Sequence, residues 1–544
     1  MKKTSIYILL LGCLIISCTK NFDNINTDPT QASSGNFDPN LLLPTSEINY
    51  LSNTQGYSGA ILFQSMWGQI FANAEYPSYY SNGDKYVASG NILTYDASIW
   101  NNSYSSASTA KEIQNLAAGN ADLTNLSSIA FIMQVINLEL ITDVYGDCPY
   151  TQALQAKTSN TVLPVYDKQS DIYPAMLSSL DSAISTLDAA KPKPTNDLIY
   201  KGDINQWKKF GYSLMLRMAM RLTKVDAATA QKYAEKAAAG GTFASVADDA
   251  HIAFDNGDGY NNANASALQV PEDFSQVRWS KILMDYLKGN NDPRVPIIAE
   301  IPKNGTSNNL NESLDGDTSF AKQIGMPNGY DQNGGATDIT KASNYPGTSP
   351  ADPSTNTASY TDQPFKVGLY SRPRTALFVR SLSTPGIILT YAETELLLAE
   401  AAQRGWSVGA TASEHYHNGV SAALQSYADF NSAGTISSTV AEAYATAHPL
   451  DISSTAAALQ QINMQYWATT GTLFNFIEAW NNWRRSGYPV LNPVSYTGNF
   501  TNGQIPRREI YPSSEATTNG ANLKTAVSDM GGDAWTTRVW WDAQ

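Results

Sequence analysis

Ser128-Ile129-Ala130-Phe131-Ile132-Met133-Gln134-Val135-Ile136-Asn137-Leu138-Glu139-Leu140-Ile141 carries apolar side chains on almost every helical face. A helix of that kind does not lie on a surface; it is surrounded by other elements. It stops at Gly146, with Pro149 beyond, the usual pairing of a permissive terminator and a residue that cannot continue a helix. The stretch therefore predicts a central helix in a large helical assembly.

Helical periodicity spreads from there in both directions. It begins near Leu41 and recurs over 105–118, 170–189, 204–223, 226–238, 276–288, 387–403, 411–428, 455–469 and 473–485. Arg484 and Arg485 suit the negative end of the last helix. Short-loop pairs (105–145, 204–238, 387–428, 455–486) predict stacked helical hairpins, each burying a face on the next. Ala250–Phe254 reads as a strand, and Lys366–Tyr370 with Thr375–Arg380 as a short strand pair. Residues 302–365 are dominated by Asn, Gly, Ser, Thr, Asp and Pro, and a loop of that length is functional or disordered.

The amino terminus is of another kind. Met1-Lys2-Lys3 precedes an apolar run from Ile6 to Ile16, and Ser17-Cys18 follows: a basic start, a greasy segment and a small residue before cysteine. This resembles a bacterial lipobox. It predicts a signal peptide over 1–17, a lipid-anchored Cys18 with an extended tether and lead-in over 18–45, and a single body over 46–544. The apolar run is about half the ~20 residues of a spanning helix, so the chain is anchored rather than threaded through a membrane.

The chain has 544 residues, 15% of them charged, and a net charge of −14. Soluble proteins average ~25% charged residues. Polarity here comes from Asn, Ser, Thr, Gln and Tyr, a surface suited to neutral polar ligands. The negative balance, with no basic run, excludes nucleic acid, whose phosphates need a positive patch. Cys13 and Cys18 belong to the leader and the anchor, so Cys148 has no disulfide partner and reads as a buried thiol.

Catalytic patterns are thin. Gly405-Trp406-Ser407-Val408-Gly409 fits G-x-S-x-G, but helices flank it, whereas a nucleophile elbow needs a preceding strand. Glu393, Glu395 and Glu400 share one helix, with Arg404 four residues after Glu400; an ion-paired face explains them better than a glycosidase pair. His251, His415, His417 and His448 have no metal-ligand spacing. Asp255-Asn256-Gly257-Asp258-Gly259 lacks the spacing and the closing Glu of a calcium loop. No cofactor or metal motif is present, and the chain reads as a binding protein rather than an enzyme.

The aromatics are clustered. Trp67, Phe71, Tyr76, Tyr79, Tyr80, Tyr86, Tyr95, Trp100 and Tyr104 are nine rings in 38 residues, against 10% for the chain. Loop formers lie between them, which predicts that some rings sit on irregular backbone. Rings with polar edges, flanked by Asn and Asp, complement the apolar face and hydroxyl rim of a sugar.

Several segments carry a family likeness: Thr142-Asp143-Val144-Tyr145-Gly146-Asp147-Cys148-Pro149-Tyr150, Asn24-Ile25-Asn26-Thr27-Asp28-Pro29, Gly289-Asn290-Asn291-Asp292-Pro293-Arg294, Met326-Pro327-Asn328-Gly329-Tyr330, Tyr391-Ala392-Glu393-Thr394-Glu395-Leu396, Trp483-Arg484-Arg485-Ser486-Gly487-Tyr488-Pro489, Ile505-Pro506-Arg507-Arg508, and the end from Met530 to Asp542. Spread in order along nearly the whole chain, these segments resemble the SusD/RagB-like outer-membrane lipoproteins of Bacteroidetes; Cys148 departs from the aliphatic residue expected there. The resemblance implies a mainly α fold of tetratricopeptide-like hairpins with a few short strands and a loop-rich ligand face. It also implies capture of oligosaccharides, or in some members peptides, and a SusC-like TonB-dependent transporter as partner, with the protein on the exterior side of the outer membrane. It transfers no ligand residue. The candidate ligand residues are therefore chosen by chemistry: Trp67, Tyr79, Tyr80, Tyr86 and Trp100 from the cluster, and Tyr260, Asn261 and Tyr330 from the middle loops. A surface glycoside hydrolase and a transporter subunit without its own ligand are the alternatives.

Overall fold

A computed structural model describes residues 37–76, 80–88, 92–270, 276–302, 315–349 and 366–543. In chain order the helices that build the body are α1 (Leu43–Thr54), α2 (Ile92–Ala117), α3 (Thr124–Tyr145), α4 (Gln169–Thr186), α5 (Ile204–Arg221), α6 (Ala227–Gly240), α7 (Ala263–Gln269), α8 (Lys281–Gly289), α9 (Tyr391–Gln403), α10 (Ala412–Gln425), α11 (Ser438–Ala447), α12 (Thr455–Thr472), α13 (Phe476–Ser486) and α14 (Gly520–Asp529). The predicted hairpins form: α2 packs on α3, α5 on α6, α9 on α10 and α12 on α13. Contacts of α3 with α4, α4 with α5, α5 with α9 and α9 with α12 stack them into one assembly.

The central helix is α3. With its leading turn it is long and apolar enough to cross a membrane, yet 83% of its most apolar window lies inside the protein. Gly146 ends it at φ 89°, a left-handed conformation that favours glycine, with the tip of Met530 packed against the position. The polar residues of α3 are spent on buried ion pairs: Glu139 on Arg217 (2.8 Å) and Asp143 on Arg221 (3.2 Å). Trp541 Nε1 and Asn481 Nδ2 each donate to Asp143 at 2.9 Å, which ties the C-terminal segment to the centre of the fold.

Three two-stranded antiparallel ladders lie beside the helices: β1 (Phe71–Asn73) with β3 (Val277–Trp279), β2 (Ala250–Ile252) with β6 (Gly386–Leu389), and β4 (Ala299–Glu300) with β5 (Arg372–Pro373). Several expectations need correction. The helix expected over 276–288 is a strand followed by α8, because Ser280 caps α8 through Leu283 N (3.2 Å) while Val277–Trp279 pairs with Phe71–Asn73. Thr375–Phe378 is helical and Val367 to Tyr370 is turn; the strand between them, β5, is placed by the buried Arg372–Glu300 pair (2.5 Å). The helix expected at 105 begins at 92, so Tyr95, Trp100 and Tyr104 stand on regular backbone. Leu43 is fully buried, so the body starts within the 18–45 segment. In the expected loop, 315–349 has its own small core, with Met326, Ile339, Ala342, Val367 and Tyr370 packed on Ala72 and Ala74. Gly405 and Gly409 form the helix–helix turn between α9 and α10, at φ 83° and 100°.

Candidate functional site

The end of α1 is the first wall of an open cleft. Thr54 closes the helix, Gln55 is extended, and Gly56 takes φ 64°. A Cβ on Gly56 would lie 2.8 Å from Ala263 Cβ, so glycine lets this turn press against the start of α7. Gly56 N also donates to Asn264 Oδ1 (2.8 Å). Asn262 caps α7 by accepting from Ala265 N (2.9 Å), and its Nδ2 donates to the carbonyls of Thr384 and Pro385, each at 3.1 Å. The second wall is thus fastened to the segment leading into β6, and α2 supplies the third.

These walls enclose about 430 Å³ lined by Ser52, Gln55, Gly56, Tyr57, Ser58, Asn102, Asn261, Ala263, Ser266, Ala267 and Val270. Among the described residues, no charged side chain lines it. Tyr57 is half-buried, with Tyr80 and Tyr95 edge-on to its ring at 6.3 and 6.0 Å between centroids. That contact fixes the plane of the tyrosine. Gln55 is buried and its Oε1 has no hydrogen-bond partner among the described residues, an acceptor left over beside the cleft. A half-buried ring, an unused amide oxygen and exposed Asn and Ser groups give the described lining the means to stack on an apolar face and to hydrogen-bond hydroxyls.

Of the residues chosen from the sequence, Asn261 lies in this cleft, and Tyr260, 50% exposed, is next to it. Trp67, Tyr80, Tyr86 and Trp100 are core residues, at 0, 0, 1 and 4% exposure, and cannot offer a ring face to ligand. Trp67 packs among Phe63, Trp480 and Trp535; Trp100 is surrounded by Tyr104, Tyr145, Tyr166 and Tyr511. Tyr80 buttresses Tyr57 from behind, and burial raises the Tyr86 hydroxyl pKa. Tyr330 is half-buried against the small 315–349 core, and Tyr79 and Cys18 lie outside the described residues. Tyr57 and Asn102 were missed. Tyr57 carries a legible signal, a ring between Gly56 and Gly59 directly after a helix, but it stands ten residues before the dense window.

Residues 39–512 match the family described as SusD-like, "Starch-binding associating with outer membrane". The chain belongs to the SusD-like family. A solved "chitin-binding protein" is 28% identical, with 93% of this chain and 100% of that one covered at TM-score 0.74. A Bacteroidetes "AC2a SusD-like" structure is 23% identical over 93% and 100%, at 0.76. A "chitin-binding SusD homolog from Flavobacterium johnsoniae" is 22% identical over 94% and 98%, at 0.69. No curated protein matches the chain. The SusD-like assignment makes this a nutrient-binding protein of the outer membrane.

The segments that carry the family resemblance build scaffold. Asn328 Nδ2 donates to Phe71 O (2.8 Å) and Asp84 Oδ1 (2.7 Å), and Gly329 N to Asp84 Oδ2 (2.9 Å), which seats the middle loop on the core. Arg294 is forked onto Asp292, both fully buried. Arg485 holds both oxygens of Glu400 at 2.7 Å, and Arg404 takes Oε1 at 2.7 Å. Burial works to raise the Glu400 carboxyl, but the two guanidiniums outweigh it and hold it down to about 2. Glu393 is pushed the other way, up to about 8, by burial and by the charge of Glu478. The acids that suggest a glycosidase pair are therefore locked in the core. Cys148 is free and buried, its thiol pKa raised by burial. Among the described residues, no group of three or more His, Cys, Asp and Glu is placed to hold a metal ion.

Proposed function

We propose that this SusD-like protein is a surface lipoprotein, anchored through Cys18, that collects neutral oligosaccharides in the Tyr57–Asn102–Asn261 cleft and passes them to a SusC-like TonB-dependent barrel. The observation that carries the ligand class is the cleft's described lining: a positioned tyrosine ring with amide and hydroxyl groups and, among the described residues, no charged side chain. Ionic termini or side chains of a peptide would find no counter-charge among the described lining residues, whereas a pyranose matches both the ring face and the amides. The 28% identical relative described as chitin-binding makes chitin oligosaccharides the first probe.

Calorimetry on the detergent-solubilised full-length protein tests the site. Tyr57→Ala should weaken binding roughly tenfold, from ~1.4 kcal/mol of lost ring contact, and Asn102→Ala by less. Unchanged affinity in both would remove the cleft from the reading. Cys18→Ala should release the protein from the membrane fraction, and protease added to intact cells should digest the wild type; complete protection would place it on the wrong side.

A further inference from the structure

A second cleft, sharing no lining residue with the first, opens among α8, α10, α11 and α12 and encloses about 540 Å³. That is within the ~300–1,000 Å³ of small-molecule sites. On α12 its wall is Ala457, Gln460, Gln461, Met464 and Gln465, positions that share one helical face. A face turned toward three other helices is ordinarily aliphatic. Here it is mostly amides, and it stands off from its neighbours.

The opposite wall is aromatic. Tyr286, Tyr416 and Tyr444 line it with His448, whose ring lies 4.1 Å from that of Tyr444 between centroids. His448 Nδ1 donates to the Tyr444 carbonyl (2.9 Å), so in the neutral ring Nε2 is the acceptor. Gln465 is 2% exposed, and its amide orientation is fixed because Oε1 accepts from Tyr286 Oη (3.1 Å) and Arg294 Nη2 (3.3 Å). Its Nε2 donor has no partner among the described residues. A buried donor left over in the wall of a cavity calls for an acceptor supplied from outside. Among the described residues no lysine or arginine lines the space, which disfavours anions, and Asp451 is the one carboxylate lining it.

We propose that this cleft is a second, independent carbohydrate site, taking a neutral mono- or disaccharide between the tyrosine wall and the α12 amides. A sugar ring would lie against the tyrosines, with its hydroxyls reaching Gln460, Gln465 and His448. The site does not depend on the loop-face cleft, from which it differs in every residue.

Calorimetric titration of the full-length protein with chitobiose and with maltose tests it. The wild type should bind two equivalents of at least one probe. Ala457→Trp fills the cleft from the α12 side and should remove one equivalent while leaving the equivalent that Tyr57→Ala weakens. Gln460→Ala changes an exposed side chain and is the safeguard should Ala457→Trp misfold; it should weaken the same equivalent about three- to tenfold. If Ala457→Trp abolishes binding and Tyr57→Ala is silent, this inference stands and the loop-face reading fails. If neither α12 variant alters either probe's isotherm, or the wild type binds neither probe, the inference is overturned.

Discussion

Tryptophan 100 shows how a residue's chemistry can be read correctly and its place wrongly. Trp and Tyr rings suit both a sugar face and a protein core, and sequence alone does not separate the two uses. The structure does. Trp100 has Tyr104, Tyr145, Tyr166 and Tyr511 around it with centroids at 5.0 to 6.0 Å. Trp100→Ala should therefore destabilise the protein by about 3–5 kcal/mol while leaving the affinity of the folded fraction for chitin oligosaccharides unchanged. Thermal melting and calorimetry on the same preparation check both halves; a stable variant with weakened binding would return Trp100 to the ligand site. Asn261 was legible because an Asn beside an exposed Tyr in a glycine-rich turn has little to bury. Tyr57 had only a local signal, a ring between glycines after a helix; its place in the cleft depends on Gly56 meeting Ala263, some two hundred residues away in sequence.

At the scale of elements, long apolar helices were the most readable. The interiors of α3, α5, α9 and α12 follow from periodicity, and the turn at Gly405–Gly409 from the helices on each side. Sparse helices were not. α11 buries two alanines, Ala441 and Ala445, and is started by Ser437, whose Oγ accepts from Val440 N (3.3 Å). Its amphipathic signal is correspondingly faint. Short strands were misplaced for a different reason: β5 exists where Arg372 reaches Glu300, a tertiary demand with no local pattern. The same kind of demand docks α13. Arg485 holds Glu400 on α9 and also donates to Asn463 Oδ1 and Asn482 Oδ1, each at 2.8 Å. Arg485→Met leaves the buried Glu400 carboxylate with the half-buried Arg404 and the Asn463 amide, and should cost about 3–5 kcal/mol. Adding Glu400→Met should recover much of that loss, since two well-packed apolar chains avoid the desolvation of the pair. Denaturant midpoints for the two single variants and the double variant give the coupling. Additive losses would mean that the pair does not dock the helix.

For the whole molecule, the low surface charge conceals many ionisable groups inside, and these set how stability varies with pH. Asp249 is buried, and that burial, with the nearby charge of Asp429, pushes its carboxyl up to about 8. Glu393 is raised to about 8 as well, by burial and Glu478, and Glu509 is raised by burial. A group whose folded pKa is raised binds its proton more tightly in the native state. Between an ordinary carboxylate value near ~4 and ~8, the native chain holds protons that the unfolded chain has released, so stability falls as pH rises through that window. Glu400, held down to about 2, acts in the opposite sense: its contribution is present above ~4 and is lost as pH falls toward 2. The two slopes meet on the acid side of neutrality. The melting temperature should be highest near pH ~5 and decline toward pH ~8, with a slope of up to roughly 1.4 kcal/mol per pH unit for each raised group. Asp249→Asn separates this from other causes. Its Oδ1 would still accept from Tyr391 N, and its new amide would donate to Ser426 Oγ, whose own proton can turn to the Ala422 carbonyl. The variant should therefore melt close to the wild type at pH 5 and above it at pH 8. A wild-type melting temperature that rises from pH 5 to pH 8, or an Asp249→Asn variant that follows the wild-type curve across that range, would show that these buried carboxyls do not govern the stability of the fold.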